Sequence, residues 1–106
     1  MGPLDGRHFV VVGLGKSGVG AATLLLNRGA KVTAFDENES AQAPFISDRF
    51  TLKKGALPER FWVGAEAVVV SPGVPLSKPR LVEARQAGAA VYGEIELAWR
   101  SRPNGS

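Results

Sequence analysis

The stretch Phe9-Val10-Val11-Val12-Gly13-Leu14-Gly15-Lys16-Ser17-Gly18 decides the fold. Its first four residues are uncharged and mostly β-branched, which suits a strand buried on both faces of a parallel sheet. Gly13, Gly15 and Gly18 then keep a G-x-G-x-x-G spacing, and an alanine- and leucine-rich helix from about Lys16 to Arg28 follows. Such a turn lets backbone pass close to an anion and aims free helix N–H groups at it. The spacing alone is a weak signal. Its place between strand and helix, with acidic Asp36 about twenty residues on, strengthens it.

Outward from this turn the chain alternates. Gly18, Ala21, Ala22 and Leu25 share one helix face, and their small members let the helix lie close on a sheet. Arg28-Gly29 ends the helix with a cation and a residue suited to a left-handed cap. Lys31–Phe35 is the second strand, with Asp36 at its carboxyl end, and a right-handed crossover sets it parallel to the first. Glu37–Asp48 is polar, contains Pro44, and reads as a loop with at most a short helical turn. Arg49–Lys53 is a third strand. Gly55 and Pro58 follow, then Glu59–Val63, whose Phe61 and Trp62 are expected in core or interdomain packing in preference to a base-stacking platform.

Ala67–Val70 is the next buried strand and runs into Ser71-Pro72-Gly73-Val74-Pro75, a loop stiffened by its prolines. Ser77 is expected to cap a helix with Pro79 in its first turn, ending near Ala87 before Gly88. Ala89–Tyr92 is the fifth strand and Glu94–Arg100 a last helix, with acids first and arginine last. Residues 1–6 read as a loose leader, 7–100 as one domain and 101–106 as a linker or tail. The pattern predicts a Rossmann-like, doubly wound parallel α/β sheet of five strands in the order 3-2-1-4-5. Its ligand crevice lies between strands one and four. The loops Gly13–Gly18, Asp36–Asn38 and Ser71–Pro75 then share one rim.

Composition narrows the chemistry. The chain has 106 residues, is 44% hydrophobic and contains no cysteine, so disulfides and thiolate metal sites are absent. Its single His8 forms neither a histidine metal site nor a catalytic triad alone. No apolar run approaches the ~20 residues of a membrane span and no secretion signal opens the chain, so a cytoplasmic setting is expected. The net charge of +3 is scattered, without the basic stripe of a nucleic-acid partner. It fits a small anionic ligand, or serves solubility alone.

Several ligands fit such a rim. Gly15-Lys16-Ser17 resembles the end of a P-loop, but that motif needs glycine where Val10 stands. Lys16 either reaches an anion or is simply solvated. Asp36 either accepts hydrogen bonds from a ribose, as in a dinucleotide site, or is a polar strand terminus. A doubly wound fold does not choose among nucleotides.

Four motifs recur in order: Gly13-Leu14-Gly15-Lys16-Ser17-Gly18, Arg28-Gly29-Ala30 before Asp36, Val69-Val70-Ser71-Pro72-Gly73-Val74-Pro75, and Gly93-Glu94-Ile95-Glu96-Leu97. With them the chain resembles the N-terminal domain of the Mur ligases of bacterial cell-wall synthesis, most of all the branch that adds D-glutamate to UDP-N-acetylmuramoyl-L-alanine. The resemblance implies a uridine-diphosphate site in place of a nicotinamide site. Lys16 and Ser17 would lie at the diphosphate, Asp36, Glu37 and Asn38 at the uridine, and Gly73 close to the nucleotide. The implied UDP-binding set is Gly13, Gly15, Lys16, Ser17, Gly18, Asp36, Glu37, Asn38, Ser71, Pro72 and Gly73, with no catalytic residue and no metal ligand. Some members carry threonine and arginine where this chain has Glu37 and Asn38.

Mur ligases phosphorylate a carboxylate with ATP before an amine attacks, using a Gly-Thr-Asn-Gly-Lys-Thr type loop and magnesium. Neither that loop nor the rest of that machinery follows Arg102. The resemblance therefore implies a domain of a longer ligase, which binds UDP-N-acetylmuramoyl-L-alanine without catalysing. No cofactor is expected here, ATP and Mg belonging to the full-length enzyme. The remaining ligase domains are its expected partners, with neither nucleic acid nor membrane. The alternatives are a freestanding NAD(P)-binding or regulatory Rossmann domain, or an interaction domain that has lost its ligand.

Overall fold

The computed structural model describes residues 4–43 and 47–93. Its elements run β1 (His8–Val12), α1 (Lys16–Asn27), β2 (Lys31–Asp36), β3 (Phe50–Lys54), β4 (Ala67–Val70), α2 (Pro79–Gln86) and β5 (Val91–Gly93). The strands form one five-stranded sheet in the order β3-β2-β1-β4-β5. Every pairing is parallel, as the alternation of strands and helices predicts.

Burial on both faces explains the unbroken apolar run of β1. Because alternate residues of a strand point to opposite sides, Phe9 and Val11 pack with Ala21, Ala22 and Leu25 of α1, while Val10 and Val12 pack with Leu81 and Ala84 of α2. Val10 is 1% exposed and Val11 0%, so neither face of the central strand meets water. Between β3 and β4 no helix forms among the described residues. Phe61 fills that space, meeting Phe35 edge to face at 5.9 Å and Trp62 at 5.2 Å, so Phe61 is core and Trp62 its half-buried flank.

Several predicted boundaries move. The third strand is Phe50–Lys54 instead of Arg49–Lys53. Arg49 stays outside it, donating from Nη1 to the carbonyls of Leu26 (3.0 Å) and Ala30 (3.2 Å) at the end of α1. The fifth strand is Val91–Gly93 instead of Ala89–Tyr92, since the Ala89 N–H turns back to the Ala84 carbonyl at 2.9 Å. Ser77 does not cap α2. Lys78 is the N-cap residue, without a side-chain cap bond, because Pro79 occupies the first helical position and holds its predecessor extended (φ −55°, ψ 136°).

Leu4, part of the predicted leader, is packed against the core and donates its N–H to the Arg28 carbonyl at 2.8 Å. The expected helix Glu94–Arg100 and the tail 101–106 lie outside the described residues.

Candidate functional site

Register builds the site. Val12 pairs with Phe35 on one side and Val70 on the other, so the next residue of each strand reaches the carboxyl edge level with its neighbours. Those residues are Gly13, Asp36 and Ser71. Backbone bonds extend the ladders by one step: the Gly13 N–H donates to the Phe35 carbonyl (2.8 Å) and the Ser71 N–H to the Val12 carbonyl (3.0 Å). The Gly55 N–H likewise reaches the Asp36 carbonyl at 2.9 Å and brings the end of β3 to the same rim.

Between the loops that leave this rim lies a crevice of about 330 Å³. It sits where the chain turns from β1 toward β2 on one side and β4 on the other, the switch point at which open α/β sheets leave space for ligands. Gly13, Gly15, Asp36, Glu37, Ser71 and Gly73 of the expected set line it. Lys16, Gly18, Asn38 and Pro72 do not, and the Ser17 side chain lies outside what the structure describes. Lys16 is exposed at the start of α1, and Asn38 uses its Oδ1 to accept the Ser40 N–H at 2.9 Å.

The three glycines of the turn do different work. Gly13 has φ +89°, and a Cβ there would stand 2.9 Å from Val74 Cγ2 and 3.1 Å from Ser71 Cβ. It is glycine so that the first loop can lie against the third. At Gly18 a Cβ would overlap the Gly13 carbonyl oxygen, so that glycine seats α1 on the turn. Gly15 faces open space, with no atom within 4 Å of a Cβ built on it, and its backbone (φ −70°, ψ −173°) is available to any residue. Nothing in the fold requires glycine at this position, and it lines the crevice.

Gly15 is also the N-cap residue of α1, with no side-chain cap bond and no acidic residue in the first turn. The N–H groups of Lys16, Ser17 and Gly18 have no carbonyl one turn back inside the helix, and the helix dipole leaves partial positive charge at this end. The crevice edge formed by Gly15 therefore suits an anion.

Asp36 closes the glycine turn from the side. Its Oδ2 accepts the Leu14 N–H at 2.8 Å and its Oδ1 the Asn38 N–H at 2.9 Å. The carboxylate thus ties the first loop to the end of β2, and its remaining lone pairs can still receive donors such as ribose hydroxyls. It is both strand terminus and crevice wall.

Five lining residues escaped the reading of the sequence: Val12 and Phe35 at the strand ends, Gly55, Leu57 and Lys78. Leu57 comes from the irregular β3–β4 connection, where periodicity gives no guide. Lys78 stands immediately before the proline that opens α2, and the extended backbone that proline imposes there does not by itself say where the side chain falls. Its Nζ ion-pairs with the Glu37 carboxylate. Among the described residues no group of three or more His, Cys, Asp or Glu side chains gathers to hold a metal, and no helix is long and apolar enough to cross a membrane.

Fold and crevice together define a Rossmann-like α/β domain with an anion-suited switch point. The chain belongs to the family described as Mur ligase MurD-like, N-terminal domain, which matches residues 7–93. Curated relatives agree. The chain is 45% identical over 98 residues to the UDP-N-acetylmuramoylalanine--D-glutamate ligase of Koribacter versatilis, covering 88% of this chain and 22% of that protein. It is 42% identical over 99 residues to the ligase of the same name from Chromobacterium violaceum, covering 90% and 22%. For the ligase of that name from Myxococcus xanthus the identity is 42% over 102 residues, covering 92% and 22%. The chain thus spans about a fifth of the length of these relatives.

Proposed function

We propose that this domain holds the uridine-diphosphate part of UDP-N-acetylmuramoyl-L-alanine for an ATP-dependent ligase that adds D-glutamate in peptidoglycan precursor synthesis. The observation that carries the reading is the 330 Å³ crevice at the switch point, with the open start of α1 at its edge and Asp36 in its wall, in a chain of the MurD-like family. The diphosphate lies against Gly15 and the first turn of α1, where helix N–H groups meet negative charge. Asp36 faces the ribose, and Gly73, whose Cβ position is open, leaves room beside the nucleotide. The domain binds and orients. ATP, magnesium and the attacking amine belong to the remaining domains of the parent ligase, in a cytoplasmic setting.

Titration calorimetry tests this directly. UDP-N-acetylmuramoyl-L-alanine is expected to bind saturably and NAD not at all, and the reverse result would overturn the proposal. Gly15→Val supplies the second arm, because the fold has space for the side chain while the ligand does not. It is expected to cost at least about tenfold in affinity, the equivalent of about 1.4 kcal/mol, with unchanged circular dichroism. A folded variant that binds the UDP compound as tightly as the unaltered chain would displace the diphosphate from this turn.

A further inference from the structure

The crevice carries an unbalanced set of charges. Asp36 and Glu37 both line it, and among the described residues Lys78 is the single lysine or arginine that does so. An anion seated beside Gly15 therefore shares the space with two carboxylates and one ammonium. Asp36 is partly compensated by the N–H groups of Leu14 and Asn38. Glu37 is compensated by Lys78, which reaches it from the start of α2 although 41 positions separate them in the chain.

This ion pair also stands between two spaces. Glu37, Leu57 and Lys78 line the crevice and also a neighbouring depression of about 360 Å³, which Ala56, Pro79 and Arg80 complete. The pair lies where the two spaces adjoin and is half open to solvent, with the Lys78 side chain 31% and that of Glu37 64% exposed. An ion pair so exposed is weak and readily exchanged. A diphosphate carries more charge than one carboxylate and offers several acceptor oxygens to an ammonium with three donors.

We propose that Lys78 is a specificity-determining residue of the crevice: its ammonium is held by Glu37 and passes to the phosphate oxygens of a nucleoside diphosphate as that ligand enters. The inference rests on the nucleotide reading above and assigns the cation that makes a diphosphate acceptable beside two carboxylates. Glu37 acts as a competitor for Lys78. It keeps the side chain at the crevice, and it weakens binding by the strength of the pair that must open.

Calorimetric titration of the chain with UDP, at low and at moderate salt, tests the assignment. Lys78→Met keeps the aliphatic stem and removes the charge, and it is expected to weaken UDP binding by about tenfold and to flatten its salt dependence. Lys78→Arg should stay within about threefold of the unaltered chain, since it keeps a cation at the same place. Glu37→Gln removes the competitor and should tighten binding by about threefold. Lys78 makes no side-chain cap bond, so these variants are expected to fold, and circular dichroism confirms that each has done so. Equal affinity and equal salt slope in folded Lys78→Met would overturn the inference alone, as would weaker binding by Glu37→Gln. If the unaltered chain does not bind UDP, the nucleotide reading falls and this assignment falls with it.

Discussion

Gly13 and Gly15 look alike in the motif and differ in what the fold asks of them. Gly13 combines a left-handed backbone with close contact to Ser71 and Val74, so Gly13→Ala must strain the turn or push the third loop away. A loss of about 1–3 kcal/mol is expected in urea unfolding. Gly15→Ala meets open space at an ordinary backbone conformation, and its stability should change by less than about 0.5 kcal/mol. Equal losses at the two positions would refute this division of roles. Asp36 offers a third measurement at this scale. Asp36→Ala leaves the Leu14 and Asn38 N–H groups without their acceptor, and about 1–2 kcal/mol of stability should go with it. Hydrogen exchange at Leu14 should accelerate, whereas an Asp36 that served ligand alone would leave that amide unchanged.

Among the elements, Arg49 does for α1 what no residue inside the helix does. The last turn of α1 contains no basic residue, and the Arg49 guanidinium comes from just before β3 to meet the Leu26 and Ala30 carbonyls. Arg49→Ala is expected to cost about 1–2 kcal/mol and to raise hydrogen exchange in the last turn of α1. Lysine at this position should recover only part of the loss, because the guanidinium is planar and pre-organised, whereas an ammonium on a flexible stem loses more rotamer freedom to reach both carbonyls. Such long-range capping was not legible in the sequence, where Arg49 read simply as the first residue of a strand. The strands themselves were legible, because β1 and β4 are continuous apolar runs that only burial on both faces explains. Their order followed from alternation with helices. Within the site, the glycine turn, Asp36 and the Ser71–Gly73 loop could be named from motif and spacing. Leu57 and Lys78 could not, since their place in the crevice depends on how an irregular connection and a proline-led helix start fall in space. The Ser77 cap failed for a related reason: Pro79 fixes the residue immediately before it, and that residue is lysine.

For the molecule as a whole, one sheet carries two separate apolar layers. Leu25 anchors the layer under α1 and Leu81 the layer under α2, each 0% exposed. Truncating either to alanine should cost about 2–5 kcal/mol, a large share of the roughly 5–15 kcal/mol that holds a domain folded. Since the shared strands couple both layers, each variant should still unfold in a single transition by fluorescence and by circular dichroism. The double variant should lose the sum of the two within about 0.5 kcal/mol. Separate transitions for the two layers would contradict that coupling. The level ends of β1, β2 and β4 have a further consequence. A slip of one residue in any of these strands would turn its core side chains to the wrong face, so the mutual alignment of Gly13, Asp36 and Ser71 is guarded by the whole interior. Loop residues such as Gly15, Glu37 or Gly73 can therefore be exchanged one at a time without moving the others. The rim behaves as an interchangeable face plate on a fixed chassis, and selectivity for a new anion could be sought by rewriting loops alone.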